Sequence, residues 1–402
     1  MWFRSAEVLG LKRVVVGAVQ LWDDGAHRVG IHAIAEHLVE RGCYVDWVSE
    51  PGSLLYLAKP TMLAWKLHRL GRSLKGWRNY SSGRLKVVNW VPMSLFHPSP
   101  SVPLLNSRFV AESYWNLAFV GFPPRRISYP SSIDLLSFDA GGIGIFPALA
   151  SRARLTVYRL SDLMSEMPNV SRGLVQVEET VLREADVVLA VSEAIYAKAV
   201  EVRGRPEGVY LLPNGVDVEM FAAAAPEPAE YRSIPRPRAV YLGSLAPWVD
   251  WELLCGVAEA RQDFSFIVIG YGAHPARVPG NVHMLGPRHF KDLPAYLQHA
   301  DVGLITFKNW PRIVRVERPL KFYQYLASGL PVVTVSYGSM TKMHPPALLA
   351  DSPEEFSRAL DLALTYSEGD RRKLQEEAKK YSWDGVFERL DEILASHGFG
   401  PK

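Results

Sequence analysis

The chain has 402 residues, 48% hydrophobic and 22% charged, a balance that excludes wholesale disorder, a collagen-like fibre and a disulfide miniprotein. At about 100–200 residues per domain, this length predicts two domains with ample cores. Forty-five basic residues against 42 acidic ones leave a net charge of +3, too small a surplus for a nucleic-acid binder.

The two cysteines, Cys43 and Cys255, stand far apart with no Cys-x-x-Cys, which fits a reducing cytosol better than a disulfide scaffold or a zinc site. The opening MWFRSAEVLGLKRVVVGAVQ has no long apolar core followed by small residues, so secretion is not expected. No run reaches the roughly 18 apolar residues that a membrane-spanning helix needs.

Short apolar, β-branched runs alternate with helical periods, the pattern of parallel βαβ units. In the first half, strands are predicted at Arg13–Val19, Tyr44–Ser49, Ile133–Phe138, Arg154–Arg159, Val187–Val191 and Val209–Leu212. Helices are predicted at Gly30–Arg41, Gly142–Ser151, Arg172–Glu184 and Glu193–Arg203. Between Pro51 and Ala111 there is no Asp or Glu, while nine Lys or Arg occur: Lys59, Lys66, Arg69, Arg72, Lys75, Arg78, Arg84, Lys86 and Arg108. Trp65, Trp77, Tyr80, Trp90 and many Leu interleave with them, and Arg125 and Arg126 extend the bias. Basic charge with Trp and Leu predicts a segment lying in an anionic bilayer interface, Thr61–Leu70 being its most helical part. The plainer reading is a basic face that neutralises an acidic substrate or packs on its own domain.

The stretch 223–237, with Pro226, Pro228, Pro235 and Pro237, reads as an interdomain linker. The alternation then restarts, with strands at Ala239–Leu242, Ser265–Ile269, Val282–Leu285, Val302–Thr306 and Pro331–Val335. Helices follow at Trp251–Arg261, Lys291–His299, Pro319–Ser328, Pro353–Thr365 and Arg371–Lys380, and an amphipathic segment, Trp383–Ala395, closes the chain. Two doubly wound α/β domains place ligands at the carboxyl ends of strands.

The most specific stretch is Arg318-Pro-Leu-Lys-Phe-Tyr-Gln-Tyr-Leu-Ala-Ser-Gly-Leu-Pro-Val-Val. Pro319 suits a first helical turn, Lys321 adds charge to the positive helix N-terminus, and Gly329 suits the C-cap. A helix with a basic start before a strand is by itself common. Here, however, the segment resembles the donor-binding helix of GT-B glycosyltransferases. Pro213-Asn-Gly-Val-Asp, Val240-Tyr-Leu-Gly-Ser-Leu and Val268-Ile-Gly-Tyr-Gly resemble that family's pre-linker loop, first nucleotide-domain strand and Gly-rich turn, in family order.

One subfamily is more similar: the GumK-like glucuronosyltransferases of bacterial exopolysaccharide assembly. Lys321 and Gln324 keep its spacing, with Gln where retaining relatives have Glu; Val316, eight residues earlier, also departs from the retaining Glu-x7-Glu pattern, with Glu317 beside it. Val157-Tyr-Arg-Leu-Ser-Asp resembles the subfamily's Val-Tyr-Arg-x-Ser-Asp, Phe138-Asp-Ala-Gly its Phe-Glu-Ser-Gly, and Ile31-His an early Ile-His. Leu245 and Leu320 stand where the subfamily has Met, and Phe307 where it has a uracil-contacting Tyr. The apolar contacts are kept; a sulfur or a hydroxyl is dropped.

The resemblance implies a GT-B fold: two Rossmann-like domains facing a cleft, with the last helix crossing back. Its domains would be 1–222 for the acceptor, with the basic segment 51–111 at the membrane, and 238–380 for the nucleotide sugar; 381–402 would return to the first domain. It implies inverting transfer from a UDP-sugar, glucuronate first, to a polyprenyl-diphosphate-linked oligosaccharide. The enzyme would work as a peripheral protein on the cytoplasmic face of the inner membrane. Asp162 would be the general base, although Ser161-Asp162 read alone fits a helix cap equally well. Asp139 would be an acceptor-positioning carboxylate or reserve base. Arg159 would pair with Asp162 or with donor charge, or lie on the surface. Lys321 and the backbone near Gly243 and Ser244 would stabilise the leaving diphosphate, while Gln324 bonds a ribose or sugar hydroxyl. No Asp-x-Asp stands at a strand end, Asp23-Asp24 has no evident third ligand, and His27, His32 and His97 lack ligand spacing, so metal-independent catalysis without a cofactor is expected. Another UDP-hexose transferase, or a binding protein that kept the fold, is the alternative.

Overall fold

The computed structural model describes residues 11–400 apart from 24, 26–27, 29, 54–62, 83–84, 122, 128, 168, 311–318 and 342–345. It divides into two compact units, one of Met1–Asp24, Arg28–Pro213 and Phe387–Lys402, the other of Gly25–His27 and Asn214–Val386.

The first unit is built on an eight-stranded sheet. Its strands are β1 (Arg13–Ala18), β2 (Tyr44–Ser49), β3 (Trp77–Ser82), β4 (Leu85–Trp90), β5 (Leu135–Asp139), β6 (Thr156–Leu160), β7 (Val187–Ala190) and β8 (Val209–Leu211). Their order is β8-β7-β6-β5-β1-β2-β4-β3, and only β3 runs antiparallel to its neighbour. Central strands are buried on both faces, so β1 reads Arg-Val-Val-Val-Gly-Ala without polar alternation. Strand order reverses between β1 and β5, the place where doubly wound sheets bind ligands. There Gly142 approaches β1 so closely that a Cβ would lie 2.2 Å from the Gly17 carbonyl carbon.

Helix α1 (Gly30–Glu40) follows β1, and α2 (Leu63–Lys75) precedes the edge hairpin. The hairpin builds part of the acid-free segment into the sheet: β4 is its third parallel strand in chain order, with Val87 and Val88 buried. Helix α3 (Arg172–Glu184) starts at Ser171, whose hydroxyl accepts the Leu174 N–H at 3.2 Å.

The second unit holds six parallel strands. These are β9 (Arg238–Leu242), β10 (Ser265–Ile269), β11 (Val282–Met284), β12 (Val302–Ile305), β13 (Val332–Thr334) and β14 (Leu348–Leu349). The order β11-β10-β9-β12-β13-β14 is the dinucleotide-fold order, with its reversal between β9 and β12. Asp250 caps α4 (Trp251–Ala260), and α5 (Leu320–Ala327) ends at Gly329, whose φ of +68° satisfies a left-handed C-cap. Pro319 is the N-cap of α5, one position ahead of the expected first turn.

The units divide between Pro213 and Asn214, ahead of the expected linker. Stretch 223–237 belongs with the second unit because Phe221 and Tyr231 are fully buried in its core and the Tyr231 hydroxyl donates to the Tyr296 carbonyl at 3.1 Å. The closing helix α6 (Trp383–Ser396) is assigned to the first unit from Phe387 onward. There Phe387 stacks on His37 at 4.3 Å, and Asp391 pairs with His37 and Arg41. No described helix is long and apolar enough to cross a membrane.

Candidate active site

In the second unit, the loops after β9 and β10 run against each other. The Gly243 N–H donates to Ile269 O at 2.9 Å and the Leu245 N–H to Tyr271 O at 2.8 Å. A Cβ on Gly270 would lie 1.9 Å from the Gly243 carbonyl oxygen, and one on Gly272 2.3 Å from that of Leu245. The glycine spacing follows from this backbone contact. The Gly243 N–H is therefore engaged within the fold. The Ser244 hydroxyl bonds the Tyr271 hydroxyl at 3.2 Å.

Lys321, on the first turn of α5, reaches back to this loop. Its Nζ lies 3.7 Å from the centroid of the Tyr241 ring and 4.9 Å from that of Phe307, two attractive faces for a cation. A Cβ on Gly243 would stand 3.1 Å from that Nζ, so at φ +131° only glycine fits. Burial pushes the Lys321 ammonium well below its usual range, and no carboxylate pairs with it among the described residues. Such a group favours an incoming anion that restores the charged form. The N-cap residue of α5, Pro319, makes no side-chain cap bond, and Leu320 beside it sits half-exposed. Gln324 is buried on the same helix and Leu245 beneath the loop. Val316 and Glu317 lie outside the described residues.

In the first unit, Asp139 ends β5 and Arg159 lies beside it in register on β6. Asp139 caps the following turn, its Oδ1 accepting the Gly142 N–H at 3.0 Å. Burial pushes its carboxyl up to about 7, with the Glu50 charge adding and the Gly142 and Gly141 amides and Arg159 opposing. Burial lowers the Arg159 guanidinium to about 10, and the Asp139 charge opposes that shift.

Asp162 follows β6, half-buried. Asp162 is not the N-cap residue of the next turn. The turn Met164–Glu166 carries no side-chain cap at its N-cap residue, Leu163, and the Met164 N–H donates to Glu178 Oε2 at 2.9 Å. Asp139 is tied into the turn that follows its own strand.

Sequence reasoning missed Glu50, Glu178 and Tyr114. Glu50 follows β2 and accepts from the Tyr114 hydroxyl at 3.2 Å, with His97 Nε2 at 3.0 Å. The other His97 nitrogen faces the Pro98 carbonyl at 2.8 Å. Helix periodicity held a signal for Glu178, because Leu174, Val177, Val181 and Leu182 form an apolar stripe that includes position 178. His32 packs on Trp47 at 4.5 Å, its Nε2 3.2 Å from Leu21 O; His27 and Asp24 lie outside the described residues.

Residues 236–365 match the family Glycosyl transferases group 1. A Bacillus subtilis (strain 168) protein, TuaH, described as a candidate teichuronic acid biosynthesis glycosyltransferase, is 29% identical over 297 residues, covering 68% of this chain and 69% of TuaH. The fold is similar to sucrose-phosphate synthase from Thermosynechococcus elongatus, with TM-score 0.67, 14% identity, and 96% and 99% of the two chains covered. The chain is a glycosyltransferase with the GT-B fold. Anabaena HepE, solved in complex with UDP-glucose, superposes with TM-score 0.59 at 14% identity over 96% of this chain and all of HepE. In this glycosyltransferase the matched residues hold Gly243, Lys321 and Gln324, so the family likeness and the buried cation fall on one unit.

The same structure corrects the role of two basic residues. Arg69 and Arg72 are 4% and 8% exposed. Arg69 donates to Val19 O at 2.6 Å and to Glu50 O, and Arg72 to Asp23. Neither can present its charge to a bilayer. Burial alone would raise Asp23, but hydrogen bonds from Tyr80 and Arg72 outweigh it and hold Asp23 below its usual range. Lys59 and Arg84 lie outside the described residues, as do the side chains of Trp65, Lys66 and Lys86.

Proposed function

We propose that the enzyme transfers a sugar, glucuronate first, from a UDP-sugar to a lipid-linked oligosaccharide, with inversion and without a metal ion, in bacterial polysaccharide synthesis. The observation that carries this reading is Lys321: a buried ammonium over two aromatic rings, at the strand ends of the unit that matches the family. A diphosphate supplies the charge that such a group lacks. The HepE complex with UDP-glucose and the likeness to TuaH support a UDP-sugar donor and a polysaccharide product. Gln324, a neutral side chain where retaining relatives carry Glu, supports inversion.

In that reaction the acceptor oxygen attacks the anomeric carbon as its proton passes to Asp162. The bond from the anomeric carbon to the diphosphate oxygen breaks, and its electron pair leaves on UDP beside Lys321. Asp162→Asn is expected to lower kcat at least about a hundredfold, while the UDP-induced rise in melting temperature stays unchanged. Near-normal turnover would move the base to Asp139.

The acceptor's lipid requires the enzyme to work as a peripheral protein at the cytoplasmic leaflet. Leu104 and Phe109 are 76% and 75% exposed on either side of Ser107, whose hydroxyl donates to the Leu104 carbonyl at 2.8 Å. We assign bilayer contact to this turn, with exposed Arg108 beside it, and to the outer face of α2 with Leu67, Leu74 and Lys75. The protein should pellet with anionic vesicles and largely leave neutral ones, and Leu104→Ser with Phe109→Ser should release it. Equal binding to both vesicle types would assign the surface to another partner.

A further inference from the structure

We infer that Glu178 is a positioning residue for the catalytic base, an inference that rests on Asp162 holding that role. Asp162 sits on a short connection between β6 and the turn Met164–Glu166. One buried carboxylate, on another element, grips the chain on both sides of it. Glu178 Oε1 accepts from the Tyr158 hydroxyl at 2.7 Å, four residues before Asp162. Glu178 Oε2 accepts from the Met164 N–H at 2.9 Å, two residues after it.

The grip has a rigid support. Glu178 is 3% exposed and lies on α3 among Leu174, Val177, Val181 and Leu182, all buried in the core of the first unit. The turn it holds has no side-chain cap of its own, so Glu178 supplies the acceptor that a local cap would otherwise provide. Tyr158 is likewise fully buried. Both donors therefore have Glu178 as their route to satisfaction, and losing it frees the turn that carries the base.

A buried carboxylate disfavours folding at neutral pH unless its bonds compensate. Burial pushes Glu178 up to about 7, with the nearby charges of Asp162 and Glu166 adding and the bonds from Tyr158 and Met164 opposing. A neutral glutamine would hold the same two bonds, with its carbonyl oxygen on the Met164 N–H and its NH₂ donating to the Tyr158 oxygen. That makes glutamine the conservative variant and alanine the disruptive one.

The test is a double-mutant cycle, read as UDP release from whichever of UDP-glucuronate, UDP-glucose and UDP-xylose is turned over fastest. Glu178→Ala should lower kcat about tenfold to a hundredfold, the usual cost of misplacing a catalytic group by about an ångström. KM for the donor and the UDP-induced melting shift should not move. Glu178→Gln should recover more than half of kcat. In an Asp162→Asn background, Glu178→Ala should lower the residual rate less than about twofold, since nothing is left to position. The full tenfold loss in that background, or no kcat loss in Glu178→Ala alone, would overturn the assignment. If Glu178→Ala does not fold, Tyr158→Phe takes its place, and equal losses in both backgrounds would overturn the proposal. Failure of the base reading shows separately, as near-normal turnover of Asp162→Asn by itself, and it removes the group on which Glu178 is said to act.

Discussion

The two units carry opposite kinds of site on the same kind of sheet. At the strand ends of the second unit, Lys321 stands as a buried cation over Tyr241 and Phe307, with no acid partner among the described residues. Near the strand ends of the first, ionisable groups are bonded within the fold: Glu50 with His97 and Tyr114, Asp139 with the Gly142 N–H, Glu178 with Tyr158. One site is built to receive charge, the other to hold charge already present. A donor diphosphate brings its own negative charge and needs only a waiting cation. Removing a proton from a neutral hydroxyl needs a base whose position and ionisation are set before the acceptor arrives.

The largest expected effect tests how firmly the first unit's charges are built in. Arg72→Glu places a carboxylate against Asp23, and Arg69→Glu strips two carbonyl oxygens, those of Val19 and Glu50, of their donor. Breaking a buried charge contact costs about 3–5 kcal/mol, so either variant should melt far below wild type or fail to fold. Lys75→Glu, on the exposed end of α2, should stay within about 0.5 kcal/mol. Thermal melts of the three proteins decide it. Wild-type melting of Arg72→Glu would return that residue to the bilayer surface.

The same contrast explains what could be read from the sequence. The second unit's site is made of neighbours in the chain: Gly243 with Ser244 and Leu245, Gly270 with Gly272, Lys321 with Gln324. Each is a local motif whose geometry follows from a tight turn or a helix start. The first unit's contacts join residues far apart, Glu50 to His97 and Tyr114 to Glu50, and no local pattern marks such pairs. The alternation of strands and helices was legible for the same reason, down to the bounds of Ser265–Ile269. The edge hairpin Trp77–Trp90 was not, because its basic and aromatic residues mimic an interfacial segment while Val87 and Val88 are buried, one on each face of the sheet. The Pro-rich stretch 223–237 misled in the same way: its composition is that of a linker, but Tyr231 anchors it to the second unit.

A smaller effect reads the ionisation of the first site directly. Asp139 and Glu178 are each pushed up to about 7 by burial, from ordinary values of 3.8 and 4.5. The folded chain therefore binds these protons more tightly than the unfolded chain. Between about pH 4 and pH 7 the native state holds more protons, so their contribution to stability falls as pH rises through that window. This is opposite in sign to an ion-paired surface carboxylate. For Glu178 the full change is roughly 3 kcal/mol. Glu178→Gln keeps both hydrogen bonds and removes the titration, so its melting temperature should gain on wild type from pH 5 to pH 8. Parallel pH profiles for the two proteins would show that the Glu178 carboxyl is not held up by its burial.

The smallest effect turns to the second unit, where a function against stability exchange is expected. Lys321 is buried with its ammonium form disfavoured, so in the absence of donor the charge is a burden on the fold. Lys321→Met keeps the length of the side chain and its contact with Tyr241 and Phe307 while removing the charge. The variant without donor should melt a few degrees above wild type. Its affinity for UDP should fall about tenfold to a hundredfold, the loss of a hydrogen bond of about 1.5–3 kcal/mol to a charged group. In wild type the diphosphate recognises the ammonium form, so UDP affinity should also decline as pH rises above neutrality, and in Lys321→Met that decline should vanish. Calorimetric titration of UDP at pH 7 and pH 9 on both proteins separates these outcomes. Unchanged UDP binding in Lys321→Met, or a variant that melts below wild type, would mean that the cation holds the second unit together rather than waiting for a ligand. The contrast between the two sites would then be lost.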